Sequence, residues 1–242
     1  MPRQIVGSLV RGMRDMRVAS LPVAMAAILA AGVYAFVQIA DEVNEREFEA
    51  LDRALLLMFR TPGDLSVPIG PPWLKETMIE LTSLGGYPVL VILVGVVVGY
   101  LLVQRLHGAA LFTLLTIVTG TALSHVLKLF YDRTRPDVVE QLVVTHTPSF
   151  PSGHATMSAV VYLTLASLIM RLVDRTAVRV YVLIVAVALT LAIGTSRVYL
   201  GVHWPSDVLA GWALGAAWAS LAWLTVTAMR AWRRRGEGNP SP

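Results

Sequence analysis

Six long apolar runs dominate this chain and leave few folds open to it. Each run holds about 20 mostly apolar residues, the length that an α-helix needs to cross the hydrocarbon core of a bilayer. Hydrophobic residues make up 55% of the chain and charged residues only 15%, whereas soluble domains carry about 25% charged residues. The sequence therefore predicts an all-α, polytopic membrane protein with six transmembrane helices. The runs cover residues 20–40, 85–104, 107–129, 154–172, 178–196 and 206–229.

The rest of the chain fits a single membrane domain over residues 1–232. The first run is longer than the h-region of a secretory signal, about 7–15 residues, which favours an uncleaved anchor. Segment 43–84 mixes charged and apolar residues at helical spacing, so we expect an interfacial connection with an amphipathic helix in "FEALDRALLLMFR" and a second short helix after "PPWLKE". That connection either guides a lipid or simply packs on the bundle. Residues 233–242 are expected to form a disordered tail.

Charged residues are sorted between the two membrane faces. Six spans put both termini on one face, and that face carries most of the arginines with only three acids, which predicts cytoplasmic termini. The net charge of +4 therefore reflects membrane topology, and no nucleic-acid partner is expected. The opposite face is acidic over residues 41–52, yet basic clusters occur there near the ends of the later helices. Cations kept on that face indicate a function.

The first basic cluster is "KLFYDRTRP", residues 128–136, at the end of the third run. Taken alone, Lys128 and Arg135 are most simply explained as anchors that reach the headgroup layer. Arg133 is expected to face solvent or lipid headgroups. His125, one helical turn before Lys128, is more simply explained by a bond to a neighbouring helix than by a role in a site.

The second cluster is "PSGH", residues 151–154, at the start of the fourth run. Ser152 is a favourable N-cap, Gly153 allows another group to approach the backbone, and the free N–H groups of the helix can bind an anion. A capped helix with an incidental histidine at position 154 explains the stretch equally well. His146, in the preceding loop, is no stronger a candidate than His125.

The third cluster is "SRVYLGVHWPSD", residues 196–207, between the fifth and sixth runs. Pro205 suits the first position of a helix, which places Asp207 in the first turn and within reach of His203. A lone His–Asp pair is a weak signal. All three clusters share one predicted face, however, so packing of the bundle is expected to bring Lys128, Arg135 and Arg197 around one pocket. Three cations, two histidines and helix N-terminal amides suit a phosphate group.

The three clusters together follow a longer pattern. They read Lys, six residues, Arg-Pro; then Pro-Ser-Gly-His; then Ser-Arg, five residues, His, three residues, Asp. This pattern resembles the three-part signature of the type 2 phosphatidic acid phosphatase (PAP2) family, and it spans about a third of the chain. Soluble vanadium-dependent haloperoxidases are similar in the same residues, but the six spans favour the membrane branch. The resemblance implies a PAP2/haloperoxidase-like helical core.

The resemblance also implies roles for these residues. His203 would be the nucleophile that forms a phosphohistidine, Asp207 would fix its tautomer, and His154 would protonate the leaving oxygen. The remaining residues would hold the phosphoryl oxygens and stabilise the transition state. Cations of the protein would then replace a metal ion, so no metal and no cofactor are expected. The expected phosphate-binding residues are Lys128, Arg135, Ser152, Gly153 and Arg197.

An outward-facing site in a membrane implies a lipid phosphate as substrate. Phosphatidic acid, phosphatidylglycerophosphate, an isoprenyl pyrophosphate and a lipid A phosphate remain open as candidates. The expected activity is metal-independent hydrolysis in the plasma or inner membrane, with the active site on the non-cytoplasmic face, which is periplasmic in a Gram-negative host. Two alternatives are a lipid phosphotransferase that uses the same intermediate and a non-enzymatic transporter. The oligomeric state is left open.

Overall fold

The computed structural model describes residues 2–143, 145 and 147–237, and the side chains of 21–143, 145 and 147–233. Within these residues the chain forms eight helices and one two-stranded antiparallel hairpin. In chain order they are α1 (Pro2–Asn44), α2 (Glu49–Leu57), β1 (Arg60–Thr61), β2 (Asp64–Pro68), α3 (Pro72–Ser83), α4 (Tyr87–Val103), α5 (His107–Tyr131), α6 (Gly153–Leu172), α7 (Thr176–Tyr199) and α8 (Pro205–Glu237).

Five of these helices are long and apolar enough to cross a membrane: α5, α6, α7 and α8, together with the part of α1 from Leu21 to Asn44. Helix α4 has 17 residues and meets the same test only together with α3, from which it is bent by 47°. Counting that bent pair as one span gives six. The prediction of a mostly helical polytopic membrane protein is confirmed.

Helix α6 lies at the centre of the bundle and packs against α5, α7 and α8. Its contact with α8 uses small residues at a four-residue spacing on both helices, which lets two backbones approach closely. A Cβ atom at Gly211 would lie 2.9 Å from the Cβ of Ala155, and one at Gly215 would lie 2.5 Å from the Cβ of Ala159. This close contact holds the N-terminal parts of α6 and α8 side by side.

Helix α8 continues to Glu237, beyond the expected end of the sixth span. The prediction of a tail from residue 233 therefore differs from the structure over 233–237, whereas residues 238–242 lie outside the described residues. Once a helix has formed, each added residue costs little, and the Arg-rich sequence after Trp232 contains good helix formers.

The segment between α1 and α4 packs on the bundle instead of lying free at the interface. Helix α2 buries Asp52 and Leu56, which lie one turn apart on the same face. The hairpin β1–β2 was not predicted from the sequence; it is held by Arg60, whose Nη1 donates to the carbonyl oxygen of Tyr199 at 2.9 Å. Helix α3 packs against α7. The connection therefore covers the ends of α7 and α8.

Candidate active site

The three sequence motifs meet at one end of the helical bundle. Helices α5 to α8 run alternately up and down, so the last turns of α5 and α7 and the first turns of α6 and α8 lie at the same end. The backbone N–H of Ser152 donates to the carbonyl oxygen of Asp207 at 2.9 Å and ties the second motif directly to the third.

The first motif contributes two cations whose hydrogen-bond partners, within the part of the chain that the structure describes, are neutral groups. Lys128 is 8% exposed, and its Nζ donates to the carbonyl oxygen of Pro148 at 2.6 Å. Arg135, in the loop after α5, donates to the carbonyl oxygen of Thr147 at 2.8 Å, to its hydroxyl at 3.2 Å and to the carbonyl oxygen of Val202. Burial lowers the pKa of Arg135, although a guanidinium remains charged. Neither cation has an acidic hydrogen-bond partner among the described residues.

The second motif forms the start of α6. Ser152 is the N-cap, and its hydroxyl accepts a long hydrogen bond of 3.5 Å from the N–H of Ala155. The missing side chain at Gly153 leaves room for the first motif, because a Cβ atom there would lie 3.4 Å from Cε of Lys128. Lys128 therefore lies beside the free N–H groups at the start of the helix, where an anion is favoured.

His154 lies against the break between α3 and α4. A Cβ atom at Gly85 would be 3.4 Å from Cδ2 of His154 and 2.4 Å from Cγ2 of Ile193, and one at Gly86 would be 3.9 Å from Nε2 of His154. Arg197, Lys128 and Arg135 lie close enough for their positive charges to act on the His154 ring. These two glycines therefore form a wall of the site, which the sequence did not predict.

Arg197, from the last turn of α7, is 3% exposed. Its Nη1 donates to the hydroxyl of Thr82 at 3.0 Å, whereas its Nε is buried without a hydrogen-bond partner among the described residues. A buried guanidinium with an unsatisfied N–H is costly unless an anion completes its bonds.

His203 lies in the loop between α7 and α8 and is 2% exposed. Its Nε2 is 3.3 Å from Nη1 of Arg135, and its Nδ1 is 3.4 Å from Oδ2 of Asp207. Because a guanidinium can only donate, this contact assigns Nε2 as the acceptor and places the ring proton on Nδ1, which faces Asp207. The contact with Asp207 is longer than a normal hydrogen bond.

Burial lowers the pKa of His203 well below its usual value, and the nearby charges of Arg197, Arg135 and Lys128 lower it further. A bond to the backbone of Ser149 acts in the opposite direction. The lowered pKa keeps the imidazole neutral at physiological pH, so that Nε2 retains the lone pair that a nucleophile needs.

Asp207 is completely buried and accepts hydrogen bonds at both oxygens. Oδ2 accepts from the hydroxyl of Ser149 and, at 2.9 Å, from the N–H of Trp204. Oδ1 accepts from Nη1 of Arg133 at 2.7 Å. The carboxylate is therefore fixed from several sides.

The prediction that Arg133 faces solvent or lipid headgroups is wrong. Its side chain is only 14% exposed and forms ion pairs with Asp207 at 2.7 Å and with Asp52 at 2.9 Å. Sequence reasoning missed Arg133, Asp52 and Ser149 as neighbours of the site. The one available signal was Asp52 itself, an acid that shares a helix face with Leu56.

His125 is not part of this arrangement. Nε2 of His125 lies 2.9 Å from the hydroxyl of Tyr87 in α4, and the two rings stack with their centroids 5.9 Å apart. This agrees with the prediction that His125 bonds to a neighbouring helix. His146 lies outside the described residues.

An apolar groove of about 390 Å³ runs down the membrane side of the site between α4, α5 and α6. It begins at Tyr87, next to Gly86, and reaches Met157, one turn along α6 from His154. Such a groove can take the hydrocarbon part of a ligand whose polar end lies in the site. A larger groove of about 610 Å³ lies far from the site and contains Arg171 and Arg230 near the other end of the bundle.

Comparison with known proteins gives a consistent result. The sequence pattern of the PAP2 superfamily matches residues 109–231. The chain is 36% identical to phosphatidylglycerophosphatase B of Bacillus subtilis over 181 residues, which cover 74% of this chain and 85% of that protein. It is 35% identical to lipid A 1-phosphatase of Rhizobium etli over 123 residues, 47% of each chain.

A solved structure shares the fold. The crystal structure of a transmembrane PAP2 type phosphatidylglycerolphosphate phosphatase from Bacillus subtilis superposes with a TM-score of 0.67 at 30% identity, covering 86% of this chain and 96% of that one. The sequence match, the shared fold and the membrane spans therefore agree. The chain belongs to the PAP2 superfamily and is a membrane lipid phosphatase.

Proposed function

We propose that this protein removes a phosphate group from a membrane lipid through a phosphohistidine on His203, on the non-cytoplasmic face of the membrane. The observation that carries this proposal is the contact between Arg135 Nη1 and His203 Nε2 at 3.3 Å. It leaves an unprotonated nitrogen beside cations that have no acidic hydrogen-bond partner among the described residues. A phosphate bound there would meet its nucleophile and its countercharges together.

In the first step Nε2 of His203 attacks phosphorus and the P–O bond to the lipid oxygen breaks. Asp207 stabilises the positive charge that develops on the imidazole, and its long contact with Nδ1 is expected to tighten when phosphate binds. His154 gives its proton to the leaving oxygen. The negative phosphate beside His154 favours the protonated form that this role requires.

The phosphoryl oxygens are held by cations and by helix amides. Lys128 acts as a point charge, Arg135 and Arg197 offer fork-shaped donors, and the N–H group of Gly153 lies at the positive end of α6. Ser152 caps the helix and orients these groups. All of them are positioned before the reaction, so they stabilise the transition state without reorganising.

In the second step water attacks the phosphohistidine, the P–N bond breaks and inorganic phosphate leaves. His154, now neutral, accepts the proton from water. The charge that a magnesium ion provides in other phosphatases comes here from the three cations, so we propose a metal-independent reaction without a cofactor.

The substrate is a lipid phosphate whose tail remains in the bilayer. The groove between α4 and α5 supports this, because its apolar lining leads from the membrane to the edge of the site. Phosphatidylglycerophosphate is the first candidate, since it is named in the relative that aligns over most of its length. Phosphatidic acid, an isoprenyl pyrophosphate and a lipid A phosphate are the others. The arginines at the opposite end of the bundle support cytoplasmic termini.

The test offers each of the four lipid phosphates to detergent-purified protein and measures released inorganic phosphate. We expect one substrate to give a clearly higher kcat/KM than the rest. Absence of release with all four would refute the proposal. Adding an acceptor lipid alcohol and following labelled phosphate separates hydrolysis from phosphotransfer, because a phosphotransferase would move the label to the acceptor.

A further inference from the structure

We propose that Arg133, held in place by Asp52, is a positioning residue that fixes Asp207 for the reaction of His203. This inference rests on the proposed function. The two terminal nitrogens of Arg133 donate to two different carboxylates. Nη1 donates to Oδ1 of Asp207 at 2.7 Å, and Nη2 donates to Oδ2 of Asp52 at 2.9 Å. A fork of this kind fixes direction as well as distance.

Asp52 anchors this arrangement from a separate helix. It is 1% exposed on α2, and its Oδ1 accepts the backbone N–H of Ser206 at 2.8 Å, in the first turn of α8. Oδ2 also accepts the Ser206 hydroxyl at 2.5 Å. Asp52 therefore binds the start of the helix that carries Asp207, where a carboxylate is favoured by the helix dipole.

The hydrogen bond from Arg133 sets the orientation of the Asp207 carboxylate. With Oδ1 held by Arg133, only Oδ2 is turned toward Nδ1 of His203. Without Arg133, Oδ1 would be a buried charged atom with no partner, so the carboxylate would rotate or neutralise. In either case His203 loses the group that fixes its tautomer.

The surroundings of Arg133 distinguish it from the phosphate-binding cations. Its guanidinium already forms ion pairs with two carboxylates and lies 5.7 Å from the centre of the Trp204 ring. It has little attraction left for a phosphate. Loss of Arg133 should therefore lower kcat and leave substrate binding nearly unchanged.

The experiment compares Arg133→Gln, Arg133→Lys and Arg53→Gln in the detergent-purified full chain, with a short-chain phosphatidic acid as substrate. Arg53 is the matched control because it lies beside Asp52 on α2 and is exposed. We expect Arg133→Gln to lower kcat roughly tenfold to a hundredfold, the range for loss of an outer orienting partner, with KM changed less than about threefold. Arg133→Lys keeps the positive charge but not the two-pronged guanidinium, so its kcat should lie between those of the wild type and Arg133→Gln.

Two results would overturn the inference while leaving the proposed function intact. One is a kcat for Arg133→Gln equal to that of Arg53→Gln. The other is a rise in KM at unchanged kcat, which would make Arg133 a substrate-binding residue. If Arg133→Gln does not fold, Asp52→Asn and Arg133→Lys decide by the same two criteria. A wild-type protein that releases no phosphate from any lipid would overturn the proposed function, and this inference with it.

Discussion

Arg133 and Arg135 stand two residues apart in the loop after α5, yet they have opposite surroundings. Arg133 binds two buried carboxylates, Asp52 and Asp207. Arg135 donates to carbonyl and hydroxyl oxygens and touches His203, and among the described residues no carboxylate accepts a hydrogen bond from it. The positive charge of the first arginine is balanced by its two carboxylate partners. The second belongs to a cluster of cations that leaves its charge available.

We infer that this difference separates a residue that orients the site from residues that bind the phosphate group. A guanidinium between two carboxylates has its charge satisfied and fixes its partners. A guanidinium held only by neutral acceptors keeps most of its attraction for an anion, and the same holds for Lys128 and Arg197. The contact partners of a cation, more than its position in the sequence, indicate which task it performs.

The largest expected effect comes from removing His203, the proposed nucleophile, which both arginines are proposed to serve. His203→Ala should lower kcat by about a thousandfold or more, the scale seen when a nucleophile or its base is removed, and Asp207→Asn should cost less. His107→Ala is a suitable control, since His107 is exposed at the start of α5. Phosphate release and trapping of labelled phosphoenzyme are the measurements. Near-wild-type hydrolysis by His203→Ala would contradict its role.

The next prediction sharpens the contrast between the two arginines. Arg135→Gln should lower kcat/KM by roughly 100- to 1000-fold, the range for losing one donor to a developing charge, and should raise KM. It should also weaken inhibition by vanadate, and Arg197→Ala should do the same. If Arg135→Gln changed only kcat, as we expect for Arg133→Gln, the distinction between the two regions would fail.

The packing of α6 on α8 can be tested with a matched pair of glycines. A Cβ atom at Gly215 would lie 2.5 Å from the Cβ of Ala159, whereas none of the described atoms outside its own helix backbone lies within 4 Å of one at Gly99. Gly215→Ala should destabilise the protein by about 1–3 kcal/mol through overpacking. Gly99→Ala should be neutral or slightly stabilising. Thermal unfolding in detergent compares the two variants, and equal midpoints would show that this contact does not hold the N-terminal parts of α6 and α8 together.

The sequence predicts the membrane spans well and the surroundings of the site poorly. Spans such as that of α7, Thr176–Tyr199, follow from length and hydropathy, and the alternation of helix direction puts Lys128 and Ser152 at one end. The partner of Arg133 lies 81 residues away on α2, and such a pairing depends on tertiary packing that no local pattern records. The start of the second span near Gly85 was predicted, whereas the close approach of Ile193 and His154 to this glycine was not, because that approach also depends on tertiary packing.

A smaller effect is expected in the pH profile. The pKa of His203 is lowered by burial and by its neighbouring cations, so its neutral, nucleophilic form persists below pH 6.5. Activity should fall only as pH drops through this lowered pKa, and the acid limb of kcat/KM should lie below 6.5. Arg197→Gln removes one repelling charge, so its acid limb should move to higher pH. A wild-type limb above 6.5 would contradict the assigned environment of His203.

The smallest expected effect is that of a chelator. A magnesium ion needs carboxylate oxygens that are free to coordinate it, and the carboxylates nearest the site are already engaged. Asp207 accepts from Arg133, Ser149 and Trp204, and Asp52 accepts from Arg133 and Ser206. We therefore expect EDTA to leave phosphate release unchanged and added magnesium not to raise it. Loss of activity in EDTA that magnesium restores would show that the reaction needs a metal ion. The cations beside His203 would then not suffice to stabilise the phosphate group, and the roles assigned to Arg133 and Arg135 would be incomplete.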